Sequence, residues 1–239
     1  MELDNNLAEG YAVLGELKFV YEWDFAGAKK DLLRAIELEP NSDLAHGQYA
    51  FYLSVRGRFD EAIAEIKKTQ EINPNSLQHQ QVDGVILYRA RRYDEAIIQL
   101  KRVIEVDENH ATAYNWLSLA YEMKGDDAGA YDWFMKSQKR TNPERLAPFQ
   151  NAYKTSGWRG VRQKLFEQQK LNEQKPSANL YAMARQCALL GDKEQAFAYL
   201  NKAFEKRQGQ MIQFNVEPAF DNLRDDSRFD ELVRRVGLK

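Results

Sequence analysis

The 239-residue sequence predicts an all-α protein in which helix-turn-helix pairs repeat and stack as an α-solenoid. Three observations predict it. First, Gly57-Arg58-Phe59-Asp60-Glu61-Ala62-Ile63 is echoed by Arg91-Arg92-Tyr93-Asp94-Glu95-Ala96-Ile97, an offset of 34 residues. Second, the same offset puts Ala28, Ala62, Ala96 and Ala130 in one column and Pro40 and Pro74 in another. Third, each period holds two segments with apolar residues at helical spacing, separated by a turn residue.

These columns define units 9–42, 43–76, 77–110 and 111–144. Where the two helices of a unit cross closely only a small side chain fits, which explains Ala50, Gly84 and Ser118 on the first helix and the alanine column on the second. Phe19, Leu53, Leu87 and Tyr121 on first helices and Leu32, Ile66, Leu100 and Phe134 on second helices are the bulky core positions. Gly57 and Gly125 end first helices in the left-handed conformation, and the prolines stop second helices. The departures are Glu16 at the small position of unit one, Trp23 and Arg91 at the turn glycine, and Glu108 and Asn142 at the closing proline. Unit five, 145–176, is degenerate: Pro148 falls in its first helix, so a shortened or kinked helix is expected. Unit six, 177–210, carries Met183, Ala184, Cys187, Gly191, Ala196, Leu200 and Ala203 in the expected columns, giving six helix pairs. The segment 211–239 breaks the period, and its Phe220, Leu223, Phe229, Leu232, Val233 and Val236 read as a helical cap over unit six. Ser227 and Asp230 start its last helix as a weak capping box and Gly237 ends it.

Thirty-four residues with two helices and a glycine turn resemble the tetratricopeptide repeat (TPR), whose units stack into a right-handed superhelix and bind proteins. A narrower resemblance rests on Tyr21-Glu22-Trp23-Asp24-Phe25, Gly27-Ala28, Arg34-Ala35-Ile36-Glu37-Leu38, Ser156-Gly157-Trp158-Arg159-Gly160, Gly191 to Phe197, and Glu217-Pro218-Ala219-Phe220-Asp221 with Leu223-Arg224 and Ser227-Arg228-Phe229. It is to the C-terminal TPR halves of bacterial winged-helix regulators, protein kinases and nucleotide cyclases. That resemblance implies a sensory or assembly part of a signalling protein. The sequence carries no phosphate loop, kinase catalytic loop or basic recognition helix, and its start almost inside the first repeat favours a piece of a larger regulator over a stand-alone relative.

Composition narrows the function. Hydrophobic residues make up 44% and charged residues 29%, the balance of a globular chain. A net charge of -2 and a pI near 6.0 leave no basic field for a nucleic acid. No apolar run reaches the ~18 residues a membrane span needs, and the first residues lack the features of an export signal, so a cytoplasmic location is expected. His46, His79 and His110 fall in separate units and Cys187 in a core column, so neither a metal nor another cofactor is expected, and no catalytic residues are assigned. Arg91 and Arg92, and Lys136, Lys139 and Arg140, read as solvated helix-end charges; Arg89 instead projects from a first helix toward the inner surface, where it can anchor a partner carboxylate.

In a TPR array the first helices line a concave surface. The register places Leu17 and Tyr21 there with Val13 and Val20, then Phe51 and Val55, Val85 and Tyr88, Trp116, Leu119 and Met123, and Phe149, Tyr153 and Tyr181. Because other residues already fill the core columns, this surplus apolar stripe reads as a groove for a protein or peptide partner, with Arg89 beside it. Two alternatives stay open: tight curvature or fold-back of the C-terminal units buries the stripe, or a hydrophobic small molecule fills the concavity. The clamp with which some TPR domains hold acidic chaperone tails is absent, since its positions hold Val13, Leu17, Gln48, Gln78 and Val82.

Overall fold

The computed structural model describes residues 5–141, 144 and 146–238. Helices α1 (Asn5–Leu17) and α2 (Phe25–Leu38), α3 (Asp43–Val55) and α4 (Phe59–Ile72), α5 (Leu77–Arg89) and α6 (Tyr93–Val106), and α7 (Ala111–Met123) and α8 (Asp127–Thr141) pack as four successive antiparallel pairs. Next come α9 (Leu146–Lys170), the pair α10 (Leu180–Leu190) and α11 (Lys193–Glu205), two 3-10 turns at Gly209–Gln213 and Pro218–Leu223, and α12 (Ser227–Val236). The described residues contain no strand. In unit five α9 is broken at Ser156 (φ -140°) and Gly157 (φ 60°) into two helical arms; Pro148, expected to shorten or kink the first helix, stands instead in the first turn of α9, where a proline is tolerated. The end of unit four, where Asn142 stands for the closing proline, lies outside the described residues.

The turn column is the most regular feature. Trp23, Gly57, Arg91 and Gly125 all have positive φ, at 61°, 72°, 62° and 85°, so two ordinary side chains adopt the backbone that glycine adopts in the other units. After each turn in units two, three, four and six, the next amide donates back to the first helix at 2.9 Å, from Arg58 to Leu53, Arg92 to Leu87, Asp126 to Tyr121 and Asp192 to Cys187. In unit one the equivalent bond spans one more residue, from Asp24 N to Lys18 O at 3.0 Å.

That extra residue sits in a π-helical turn at Lys18–Glu22, and it corrects the reading of unit one. Upstream of it the register slips by one. Gly15, not Glu16, takes the close crossing: a Cβ there would lie 2.6 Å from Leu32 Cγ, as one at Gly84 would lie 2.7 Å from Leu100 Cγ. Ala28, Ala62, Ala96 and Ala130 are fully buried opposite these positions, and Ser118 Oγ donates to Ala130 O at 2.8 Å.

The tail does more than cap unit six. Met211, Ile212, Phe214, Phe220 and Leu223 are buried in the main core with residues of α3, α5, α7 and α10, and Val216 is buried as well. Each such side chain stabilises by ~1.5–3 kcal/mol relative to its exposed state. The far end of the superhelix thereby meets its beginning. Arg207 donates to Glu22 O (3.2 Å) with its guanidinium over the Trp23 ring, Trp23 packs on Phe204, and Arg56 donates to Gly237 O at 2.9 Å. Helix α12 is capped by Asp226, whose carboxylate accepts from Arg228 N, and not by Ser227, which is already the first helical residue. Gly237 ends it at φ 81°.

Deleting 211–239 should uncover the inner ends of four first helices as well as unit six, giving concentration-dependent self-association in light scattering; a monomeric truncation of unchanged stability would show the tail to be an appendage.

Asp83 is buried, with Gln70 Nε2 donating to it at 3.1 Å, and burial raises its carboxyl above the ordinary range. The folded state therefore holds the proton more tightly than the unfolded state, and stability falls as pH rises through the window between the two values. Asp83→Leu should raise the thermal midpoint by ~2–4 °C for each ~1 kcal/mol gained. The gain should be largest at neutral pH and shrink toward about pH 4. A drop in midpoint would mean that the Gln70 contact outweighs the cost of burial.

Candidate interaction groove

The tail divides the concave surface lengthwise. The inner half, where first helices end, is filled. Val55, Tyr88 and Tyr181 are buried, and a tail residue sits against each of these neighbourhoods. Val216 lies under the Gly57 turn, Tyr88 Oη donates to Glu217 Oε1 at 2.6 Å, and the Phe220 ring meets Tyr181 edge-on at 5.4 Å. Val85 and Leu119 are also buried, and Met123 is partly buried against the same core. These residues do not form an open stripe. The fold-back alternative describes them, because a chain segment with its own Phe214, Phe220 and Leu223 is always present at high effective concentration.

Two other predicted positions pack elsewhere. Phe149 is buried with Phe134, Trp158 and Val161 between α8 and α9, and Tyr153 stacks on Tyr131 at 3.7 Å between centroids. Leu17 and Tyr21 are on the surface instead, 44% and 63% exposed, because the π-turn rotates α1 so that Glu16 takes the groove-facing place.

The outer half of the groove remains open. It encloses ≈ 280 Å³ between α1, α3, α5 and α7. Phe51, Val82 and Trp116 supply apolar wall, Gln48, Gln78 and Gln81 supply amides, and Gln213 of the tail closes one side. Glu16 Oε2 accepts from Gln48 Nε2 at 2.8 Å. Burial raises the Glu16 carboxyl above its usual range, opposed by that bond. His79, also in the lining, is held toward the neutral form by burial, with Asp43 3.9 Å away. The amides escape sequence reading: Gln48 and Gln78 register there only as the absence of an acidic-tail clamp.

Arg89 lies at the floor, 2% exposed. Its Nη1 donates to Ser54 Oγ at 3.0 Å and its guanidinium stacks 5.3 Å from the Phe51 ring, while burial depresses its pKa. The neighbouring basic residues are paired at the surface: Arg92 is bidentate to Glu95 at 2.6 Å, and Arg91 grips Asp221 of the tail at 3.1 and 2.6 Å.

No grouping of three or more His, Cys, Asp or Glu suited to a metal occurs among the described residues. His46 serves packing, with Glu65 at 2.6 Å on Nδ1 and Pro40 O at 2.9 Å on Nε2; both acceptors favour the protonated ring and raise its pKa. Cys187 is buried and its thiol is pushed up to about 12, which keeps it protonated and inert. No helix among the described residues is long and apolar enough to cross a membrane.

Tyr88 and Trp116, whose rings pack 5.4 Å apart, separate the two halves energetically. Tyr88→Ala should cost ~3–5 kcal/mol in chemical denaturation, and Tyr88→Phe ~1–3 kcal/mol because Glu217 stays buried without its donor. Trp116→Ala, on the half-exposed rim, should cost clearly less than Tyr88→Ala. Equal losses would mean that the groove has no open half.

Comparison with known proteins agrees with this geometry. A tetratricopeptide repeat family model matches residues 84–144. A bovine (Bos taurus) protein SGT1 homolog is 26% identical over 121 residues, 51% of this chain and 31% of that protein, so the chain spans about a third of the length of this curated relative. Among solved structures, Pseudomonas aeruginosa PilF has a TM-score of 0.58 at 20% identity, covering 88% of this chain and 96% of PilF. MamA from residue 41 onward, from Desulfovibrio magneticus RS-1, has a TM-score of 0.51 at 17% identity, covering 87% of this chain and 97% of that one. At such identities these two likenesses concern the fold. Stacked helix pairs, a left-handed turn residue recurring every 34 residues from Trp23 to Gly125, and the family match over residues 84–144 together give this chain the helix-pair solenoid fold of tetratricopeptide repeats.

Proposed function

We propose that this protein is a non-catalytic interaction module that holds an extended segment of a protein partner in the outer half of its concave groove. The observation that carries this reading is the lining itself. Gln48, Gln78, Gln81 and Gln213 surround Phe51, Val82 and Trp116 in a preformed space of ≈ 280 Å³. A primary amide both donates and accepts, so a ring of glutamines can pair with the alternating N–H and C=O groups of an extended backbone. The aromatic walls take its side chains. Glu16 holds the Gln48 amide through its nitrogen. Of the residues read from sequence, Phe51, Val85, Trp116 and Arg89 keep a place in this site, and Leu17 on α1 and Tyr21 in the π-turn add exposed apolar surface.

The resemblance to regulator halves supports placing this module in a bacterial signalling protein, where the bound segment reports the state of a partner. The tail gives the module a fixed shape. Because the inner half is filled and the two ends of the superhelix are joined, the outer half is rigid before any partner arrives, which lowers the entropic cost of binding.

Gln81→Trp should block the groove while leaving the fold intact, since Gln81 is half-exposed on α5. Affinity capture from the native host, compared between wild type, Gln81→Trp and a back-face control such as Lys29→Glu, should lose its partner only with the blocked groove. Retention of the same partner by Gln81→Trp, with an unchanged thermal midpoint, would overturn the reading.

A further inference from the structure

The buried guanidinium of Arg89 is under-used. Arginine carries five N–H donors, and burying that charge is costly unless it is paired. Here Nη1 donates to Ser54 Oγ at 3.0 Å, and Nε is buried with no acceptor among the described residues. The carboxylate nearest in electrostatic effect, Glu217, is engaged by Tyr88 Oη and the Ala219 amide. Arg89 is the last residue of α5, and long helical side chains lean toward the N-terminus of their helix, so the guanidinium comes to lie in the pocket beside Val85, Ile86, Phe51 and Trp116. A buried donor without a partner, on a side chain that lines an open cavity of ≈ 280 Å³, calls for an acceptor that the described residues do not supply.

We propose that the outer half-groove selects peptide segments carrying an acidic side chain, whose carboxylate docks on Arg89 beside Phe51 and Trp116. This inference rests on the groove reading above and adds a chemical preference to it. A carboxylate supplies the missing acceptor in a planar geometry matched to the guanidinium. Burial disfavours the charged form of His79, and Arg89 is the cation at the floor of the pocket that decides the preference. Glu16, on the opposite wall, is occupied by Gln48 and excludes the carboxylate from that end, which fixes where along the bound segment the acid falls. The site differs from an acidic-tail clamp in the residue that carries the charge: the clamp places Gln48, Gln78 and Val82 line this same pocket uncharged, and Arg89 supplies the cation.

The test uses the full chain. Random peptides of about a dozen residues, displayed on phage, are selected on the immobilised protein. Those recovered should carry Asp or Glu at one fixed position. A synthetic, C-terminally amidated representative should lose on the order of 10- to 100-fold in affinity by fluorescence anisotropy when that residue becomes Asn or Gln. The same loss should appear for the acidic peptide on Arg89→Met, whereas the amide peptide should bind wild type and variant alike. Because Arg89 is buried, a reading on the unaltered protein accompanies the variant. With ¹⁵N-labelled arginine, the Arg89 Nε–H signal, assigned by its loss in Arg89→Lys, should move downfield with the acidic peptide and stay in place with the amide peptide. Three results would each overturn the proposal and leave the groove reading standing: groove-dependent peptides with no acidic position, an affinity that follows a free chain terminus instead of the side chain, or a stationary Nε–H signal. Recovery of no peptide that Gln81→Trp blocks would overturn both.

Discussion

The packing of residues 211–223 against the inner ends of the first helices is the contact on which the rest of the molecule depends. Val55, Val85, Tyr88, Leu119 and Tyr181 give these helix ends more apolar surface than their own second helices can cover. Met211, Phe214, Phe220 and Leu223 cover it, and the buried Tyr88–Glu217 hydrogen bond sets the register of the tail at the centre. A buried carboxylate tolerates little displacement, because losing its donor leaves it unpaired away from water. The tail is thereby held at one place along the concavity.

From that contact follow the shape and the site. A solenoid stabilised only by neighbour contacts is free to change its coil, but this one is joined end to start through Arg207 and Glu22, Trp23 and Phe204, and Arg56 and Gly237. Two of the turn positions that lack glycine are part of the junction. Trp23 and Arg91 keep the left-handed backbone of the column, and their side chains meet Phe204 and Asp221. At these two places a less favourable turn residue is offset by a long-range contact. The open half of the groove is what the tail leaves uncovered, and Gln213 is one of its walls.

Unit one shows how a single residue redirects a surface. The π-turn at Lys18–Glu22 absorbs one extra residue between the close crossing at Gly15 and the turn at Trp23. Glu16 faces the groove and orients Gln48, and Leu17 and Tyr21 turn to solvent. A helix that keeps both its crossing and its turn has no other way to accommodate an added residue.

The helix pairs, their turns and the columns of small and bulky residues were legible from the sequence. Each depends on interactions within about 34 residues, and the repetition states the same local solution several times. The place of the break in α9 was not legible from Pro148, which stands in the first turn of the helix where proline is tolerated; the backbone departs at Ser156 and Gly157. The one-residue slip in unit one was not legible either, because the fixed 34-residue offset puts Glu16 in the small-residue column, and only the approach of Leu32 shows that Gly15 takes it. Nor was the occupant of the concavity: apolar residues at 55, 85, 88 and 119 require cover, and periodicity does not distinguish cover by a partner from cover by a segment more than 90 residues downstream. The same holds for Arg89, which the sequence places on the inner face and only the tertiary structure buries, stacks on Phe51 and leaves with an unfilled donor. Local periodicity determined the repeat; contacts distant in sequence decided which part of its inner surface is core and which is open.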